Sequence, residues 1–406
     1  MSDSAVGARV LHHVIDGPAV PPSAGAGEPV PVLLGPSIGT TTALWTQVAA
    51  VLARGRRVVR WDLPGHGGSA ELIPAEPGAT SIADLGRLVL DLADGLGIDR
   101  FAYAGDSLGG AVGTWLAAHR PERVAVLAVL CSSAHFGDPA NWHARAAKVR
   151  AEGAGALAEL AESAANRWFP PDAPIRTSAL AAELYATHAT VDPLGYAACC
   201  DAIAGLDLTA DLARITAPTL VIGGRLDPAT PPAHARELAD GIAGSSLLEL
   251  AGVGHLAPVE APERVAAALV EHFDLAAAPT DDAGRHAAGM AVRRAVLGDA
   301  HVDRAVAGTT PFTATFQDFI TRYAWGEIWT RPGLDRRTRS CITLTALVAH
   351  GHLDELALHV RAARNNGLTP EEIGEVLLQS AVYCGVPAAN SAFAVARRVL
   401  EAEEER

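Results

Sequence analysis

The chain has 406 residues, 49% hydrophobic and 19% charged, with a net charge of −14 at pH 7. That length allows two or three ordinary domains, and that balance supports a sizeable core and excludes wholesale disorder. The negative charge speaks against nucleic-acid binding, which needs clustered cations.

In chain order, Pro31–Leu34, Arg57–Trp61, Phe101–Ala104, Val124–Leu130, Thr219–Ile222 and Leu247–Leu250 read as strands, each short, apolar and bounded by Gly, Pro or Asp. Helical patterns such as Ile82–Leu96 and Leu108–His119 lie between them. The alternation predicts an α/β unit over 1–274, with a mostly parallel sheet covered by helices on both faces. The rhythm breaks over 136–210, which is rich in Ala, Glu and Arg. An all-helical insertion there, after the sixth strand of such a sheet, would cap the strand ends. Residues 275–284 read as an exposed linker. From 285 to 406 the pattern is helical without a convincing strand, including Thr343–His350, Leu353–Asn365 and Glu371–Tyr383. Thr369-Pro370-Glu371-Glu372 marks a helix start, with a cap, proline at N1 and acids in the first turn. No internal repeat relates the two parts, so the chain reads as a fusion of unlike domains.

The five cysteines (Cys131, Cys199, Cys200, Cys341 and Cys384) include no C-x-x-C pair. A disulfide framework or structural zinc site is therefore not expected, and a reducing cytoplasm is. Neither a signal peptide nor an 18-residue apolar run is seen, so no membrane association is expected. Lys148 is the single lysine.

Gly105-Asp106-Ser107-Leu108-Gly109 joins an expected strand to an expected helix, the context that a G-x-S-x-G nucleophile elbow needs. Its glycines admit close backbone where a Cβ would collide. Ser107 would project its hydroxyl at the top of the sheet, with the Leu108 N–H aimed at a developing oxyanion. Alone, this pattern also fits any Gly-rich turn before a helix. Two later segments strengthen it. Gly223-Gly224-Arg225-Leu226-Asp227 follows the next-to-last strand, suiting a triad acid. Gly252-Val253-Gly254-His255 follows the last, suiting the base. Ser, Asp, His is the order used by this fold. Asp201 and Asp211 are alternatives to Asp227, though neither follows a strand. Gly35-Pro36-Ser37-Ile38-Gly39-Thr40 follows an early strand, and the Ile38 N–H is expected as second oxyanion donor. His66, in Asp62-Leu63-Pro64-Gly65-His66-Gly67-Gly68-Ser69, reads as a packing residue of that turn rather than a base.

Ser37–Thr40, Gly105–Gly110 and Asp227-Pro228-Ala229-Thr230-Pro231 resemble 3-oxoadipate enol-lactone hydrolases of the α/β-hydrolase superfamily. So do Trp142-His143-Ala144-Arg145, Arg167-Trp168-Phe169 and Tyr196–Cys200 in the cap. The similarity covers nearly all of 30–272; Pro36 departs from it, standing where a small polar residue is expected. The resemblance implies a small enol-lactone with an acetate arm as substrate. Ser107 would attack the lactone carbonyl, His255 would take its proton, and Asp227 would orient His255. Arg145 and Arg167 are candidates for the arm's carboxylate, and Trp142 and Trp168 for pocket walls. The plainer alternatives are surface arginines and packing tryptophans.

Beyond 285, Trp325-Gly326-Glu327-Ile328-Trp329-Thr330-Arg331-Pro332 and Tyr383-Cys384-Gly385-Val386-Pro387-Ala388-Ala389-Asn390 stand out. Glu355 and His359, four apart, share a helical face and can share a proton; His352 lies a heptad back, near that face. These strings resemble the carboxymuconolactone decarboxylase family, within an all-α group that includes alkylhydroperoxidase-like proteins. His352 and Glu355 stand where peroxidase relatives carry cysteines, which excludes thiol redox chemistry there. The resemblance implies decarboxylation without metal or other cofactor, although a His/His/Glu metal site is imaginable. His359 would protonate carbon, with Glu355 setting its tautomer and Glu327 as a second acid. Arg322, Arg331 and Arg339 are candidates for substrate carboxylates, and His352 for a substrate contact. The plainer alternative is a structural Glu–His pair at a subunit interface.

Together the resemblances imply a bifunctional enzyme of protocatechuate breakdown through the 3-oxoadipate pathway, acting on small anionic lactones. Relatives of the second part imply a homo-oligomer formed through it. Two rival readings stand beside it: an esterase or lactonase of another substrate with a non-catalytic oligomerisation module, and a non-catalytic ligand-binding sensor built on a hydrolase fold, against which an intact triad speaks.

Overall fold

The computed structural model describes residues 10–17, 30–69, 78–276, 282–331, 334 and 336–404. They fall into two compact units, before and after residue 277, each described here by itself.

The first unit is built on a seven-stranded sheet. Its strands are β1 (His13–Asp16), β2 (Val32–Gly35), β3 (Val58–Trp61), β4 (Phe101–Asp106), β5 (Val124–Leu130), β6 (Thr219–Gly224) and β7 (Ser246–Leu250), in spatial order 1-3-2-4-5-6-7. All pairings are parallel except β1 with β3, where His13 lies opposite Trp61. The sequence signal missed β1 because it is a half-exposed edge strand without an apolar run. Central β4 is buried throughout, as expected of a parallel strand covered on both faces. Helices α1 (Thr46–Leu52), α2 (Ile82–Gly95) and α3 (Leu108–His119) follow the early strands. Val48, Leu52 and Phe273 pack on one face of the sheet, and Leu85, Val89 and Leu116 on the other.

The insertion follows β5, the fifth described strand rather than a sixth. It comprises α4 (Pro139–Glu152), α5 (Ala154–Glu162), α6 (Ala164–Trp168), α7 (Ala179–Ala189) and α8 (Pro193–Ala204). On α4, Lys148 pairs with Glu159 and, at 3.7 Å, with Glu152. The cap is seated by backbone: Asp192 N–H donates to Gly65 O at 2.8 Å, and a Cβ on Gly195 would lie 2.3 Å from Gly65 Cα. After the cap come α9 (Pro232–Gly241), α10 (Ala257–Glu260) and α11 (Pro262–Ala276).

The second unit is all-helical over the described residues. It contains α12 (Asp282–Leu297), α13 (Asp299–Ala307), α14 (Ala314–Ile320), a π-helix (Thr321–Ile328), α15 (Arg336–His350), α16 (Leu353–Asn365), α17 (Pro370–Cys384) and α18 (Val386–Glu404). Residues 275–276 and 282–284, expected in the linker, are helical, because an Ala-rich run extends α11 and Asp282 opens α12. Residues 277–281 and Pro332 lie outside the described set. The expected start of α17 is present, with Thr369 and Glu372 forming a capping box. The main core joins α15 through α18 around Leu344, Val348, Leu356, Leu377 and Val395.

The glycine contact under the cap makes a stability prediction. Gly195→Ala should destabilise by about 1–3 kcal/mol, because two backbones must separate. Gly155→Ala, facing open space on α5, should stay neutral or gain up to ~1 kcal/mol. Urea unfolding followed by circular dichroism checks both; equal midpoints would overturn the contact.

Candidate active sites

β4 delivers Ser107 into a conformation that L-residues avoid, φ 55° and ψ −117°. Close packing of glycines makes the turn possible. A Cβ on Gly105 would lie 2.2 Å from Gly109 carbonyl atoms, and one on Gly109 would lie 2.4 Å from those of Gly35. Ser107 N–H donates to Leu130 O at 2.8 Å, and Ser132 Oγ donates to Ser107 O at 2.7 Å, so the strained residue is held from both sides.

The fold brings Ser107, His255 and Asp227 together across 148 and 28 residues of chain. Ser107 Oγ stands 2.9 Å from His255 Nε2, and His255 Nδ1 2.9 Å from Asp227 Oδ2. Asp227 also accepts from the N–H groups of Ala229 and Thr230 and from the Thr230 hydroxyl, at 2.8, 2.9 and 2.8 Å. Asp201 and Asp211 are elsewhere, paired with Arg150 and with Arg214 and His119. Burial alone would push the His255 pKa down, but the Asp227 charge and hydrogen bond outweigh it and hold it above 6.5. Asp227 is correspondingly held low, burial being outweighed by His255 and the Thr230 bonds.

The Ile38 turn is anchored to the elbow. Gly109 N–H donates to Pro36 O at 3.0 Å, which needs only a carbonyl and so tolerates proline at 36. Gly39 N–H donates to His66 Nε2 at 3.0 Å, while His66 Nδ1 faces Pro64 O at 2.9 Å. Burial lowers the His66 pKa to about 4, so the ring is neutral, with its proton on Nδ1. His66 thus braces the turn that carries Ile38, and Leu108 opens α3 beside it.

Above these groups the cap presents cations. Arg145 lies over the Trp142 ring at 4.4 Å, and Trp142 Nε1 donates to Phe136 O at 2.8 Å. Arg167 donates only to neutral oxygens, Ser163 Oγ at 2.5 Å and Leu160 O at 2.6 Å. No carboxylate among the described residues pairs with Arg145 or Arg167. Trp168 is buried, and its carbonyl accepts from His255 N–H at 2.7 Å.

Sequence reasoning missed three groups here. His188, only 1% exposed, meets Trp168 and Tyr196 edge-on at 5.3 and 5.4 Å, and neither ring nitrogen has a well-formed hydrogen bond. Burial, followed by the charges of Arg167, His66 and Arg145, pushes its pKa to about 3. Asp106 is buried without a hydrogen-bond partner, and that burial drives its pKa well up, whereas Asp227 is held low beside His255. Glu260, pushed by burial to about 7, accepts the Gly254 N–H at 3.0 Å and so fixes the loop holding His255. Asp106 lies within the elbow motif and the other two in none, but in each case only the fold reveals the burial.

In the second unit Glu355 and His359 lie on α16, but no direct hydrogen bond joins them. Glu355 is exposed and acts on His359 through its charge; burial lowers the His359 pKa first, Glu355 opposes that, and His301 adds to it. His352 is not on the helical face. It is the N-cap of α16, exposed, with its ring stacked on His350 at 5.8 Å. No metal-holding group of three His, Cys, Asp or Glu side chains occurs among the described residues. Glu327 is exposed and lies 3.5 Å from Arg285. Arg322 is engaged by Asp318 at 2.8 Å and Asp282 at 3.2 Å. Arg339 donates to the carbonyls of Leu334 and Arg331, at 3.1 and 2.8 Å, so Arg331 and Arg339 are neighbours. Trp325 to Ile328 lie in the π-helix, which Trp329 caps by donating its N–H to Ala324 O.

A parallel sheet, an elbow serine and a helical cap define the first unit as an α/β hydrolase. Residues 30–262 match the alpha/beta hydrolase fold family and 314–398 the carboxymuconolactone decarboxylase family, and the chain belongs to both. The second part is 46% identical to 4-carboxymuconolactone decarboxylase of Acinetobacter baylyi, over 30% of this chain and 90% of the relative. The first is 37% identical to 3-oxoadipate enol-lactonase 2 of the same organism, over 56% of this chain and 82% of the relative. The enol-lactonase structure from Burkholderia xenovorans superposes with a TM-score of 0.58 at 35% identity, covering 65% of this chain and 96% of that one.

Only neutral His255 can accept the serine proton, so fluorophosphonate labelling of Ser107 should fall as pH drops, with a midpoint above 6.5. Asp227→Asn should slow labelling and move that midpoint down. A pH-independent rate, or undiminished labelling of Ser107→Ala, would dismiss this role for His255 or Ser107.

Proposed function

We propose that the chain is a bifunctional enzyme that decarboxylates 4-carboxymuconolactone and then hydrolyses the resulting 3-oxoadipate enol-lactone to 3-oxoadipate. The observation that carries the hydrolytic half is the Ser107–His255 contact of 2.9 Å beneath a cap in which Arg145 and Arg167 have no carboxylate partner among the described residues. An anionic lactone answers both features. The names of the relatives of each part support the pairing of reactions.

In the hydrolase, Ser107 attacks the lactone carbonyl as His255 takes its proton, with the N–H groups of Ile38 and Leu108 stabilising the oxyanion. The enol oxygen leaves readily because it tautomerises to a ketone. Water activated by His255 then releases 3-oxoadipate from the acyl-enzyme. Arg145 and Arg167 hold the acetate arm, with Trp142 and Trp168 as walls, and neutral His188 offers a hydrogen bond beside them.

In the decarboxylase, the departing carboxylate sits on a carbon conjugated through the ring double bond to the lactone carbonyl. As CO₂ leaves, electrons pass to that oxygen as a dienolate, so the lactone is its own electron sink. His359 then protonates carbon, with Glu355 favouring its charged form. Arg331 and Arg339 remain candidates for binding the substrate, whereas Arg322 would first have to leave its own carboxylates.

NMR of 4-carboxymuconolactone tests both halves. Wild type should give 3-oxoadipate and CO₂, Ser107→Ala should stop at the enol-lactone, and His359→Ala should slow CO₂ release by about 10²–10⁴-fold. A carboxylactone that persists with wild type would leave an esterase with a non-catalytic partner domain.

We also propose that the second unit makes the chain a homo-oligomer. Leu378, Val382, Tyr383 and Val386 form an apolar patch, 56–78% exposed, along α17 and the start of α18. Light scattering should give a multiple of 41.9 kDa, reduced toward one copy by Val382→Glu with Tyr383→Glu; a wild-type monomer overturns this. The cytoplasm suits a chain in which none of the five cysteines is in a disulfide.

A further inference from the structure

Several exposed arginines of the second unit are matched to carboxylates. Arg294 meets Asp299 and Asp303, Arg285 meets Asp282, and Arg337 meets Glu372. The buried one is not. Arg293, on α12, is 5% exposed. One of its terminal nitrogens donates to Thr321 Oγ1 at 3.2 Å, and its Nε has no partner. No carboxylate among the described residues reaches it. A guanidinium keeps its charge at any ordinary pH, and burying one without a counter-charge is strongly unfavourable. A bound anion would offset that cost.

The surroundings are built for closeness. A Cβ on Gly289 would fall 2.0 Å from Thr321 O, and one on Gly326 2.2 Å from Arg285 O, so α12 and the π-helix touch backbone to backbone. This holds the Thr321 hydroxyl against Arg293. One turn along α12, Val296 packs with Trp325 and with Ala362 of α16. One turn before Ala362 stands His359. His301, on α13, is within electrostatic reach of both Arg293 and His359. The buried cation and the proposed proton donor therefore border one region.

We propose that Arg293 is the carboxylate anchor of the decarboxylation site, its guanidinium receiving the acetate arm of the lactone diacid while His359 faces the ring. This rests on the decarboxylase reading. The choice of carboxylate follows from charge. The departing carboxylate becomes neutral CO₂, so pairing it with an arginine would stabilise the ground state over the transition state and slow the step. The acetate arm stays charged throughout, and a cation on it gives uniform binding. Arg293 accordingly governs KM more than kcat.

Steady-state CO₂ release by the full chain should show KM raised about 10–100-fold by Arg293→Met, with kcat within a few-fold of wild type. Guanidinium chloride at millimolar concentration should restore part of the affinity to Arg293→Ala. Ligand-free Arg293→Met should melt no lower than wild type, because an uncompensated buried charge has gone. Unchanged KM, a lower melting temperature without guanidinium rescue, or an altered oligomeric state would each overturn the anchor and make Arg293 a structural residue. A second measurement separates this from the decarboxylase reading: calorimetric titration with muconolactone, which keeps the acetate arm and lacks the departing carboxylate, in the Ser107→Ala background. Arg293→Met should weaken that binding about 10–100-fold even if no CO₂ release is seen with wild type. Equal binding overturns the anchor, as does a Ser107→Ala chain that does not bind muconolactone.

Discussion

Everything in the first unit depends on one strained residue. Ser107 occupies a left-handed conformation costing about 1–3 kcal/mol, and the surrounding structure must hold it there. Three glycines, at 35, 105 and 109, let β2, β4 and α3 approach within distances that no side chain permits. The same approach sets the Ile38 turn against the start of α3, so strain and oxyanion geometry share one origin. The sheet does the rest: parallel β6 and β7 end beside β4 and β5, and their following loops carry Asp227 and His255 to the serine.

Both units handle charge alike. Many exposed arginines are paired with acids, where each pair contributes little. Arg167 and Arg293 are drawn inward and given only neutral oxygens. For a chain of net charge −14, cations isolated from its own carboxylates would suit the proposed recognition of an anionic substrate against a repulsive background. His188 extends the pattern with a buried, uncharged ring beside the cap arginines.

The sequence made the architecture legible where signals are local. Gly105–Gly109, Asp227 and His255 each follow an apolar strand, so their order could be read without knowing their distances. Thr369-Pro370-Glu371-Glu372 marked a helix start that the structure has. By contrast, β1 is an edge strand with no apolar run, and the π-helix has no recognised periodicity. His188, Asp106, Glu260 and Arg293 were invisible because an unpartnered or strained polar group is defined by what surrounds it, and those neighbours come from distant segments. Periodicity also misled at His352. A heptad before His359 is one residue outside α16, where the chain has turned away.

The cap helix α4 bears both Trp142 and Arg145, and it also bears Lys148, the only lysine in the chain. Apart from the terminal amine, acylating reagents thus have one aliphatic amine to find, on the helix that carries Trp142 and Arg145. Its ion pair with Glu159 raises its pKa, so attachment calls for mildly alkaline solution. A dye placed there would make the cap optically addressable in an otherwise unmodified enzyme, reporting substrate entry in real time without an engineered cysteine competing with Cys131, Cys199, Cys200, Cys341 and Cys384.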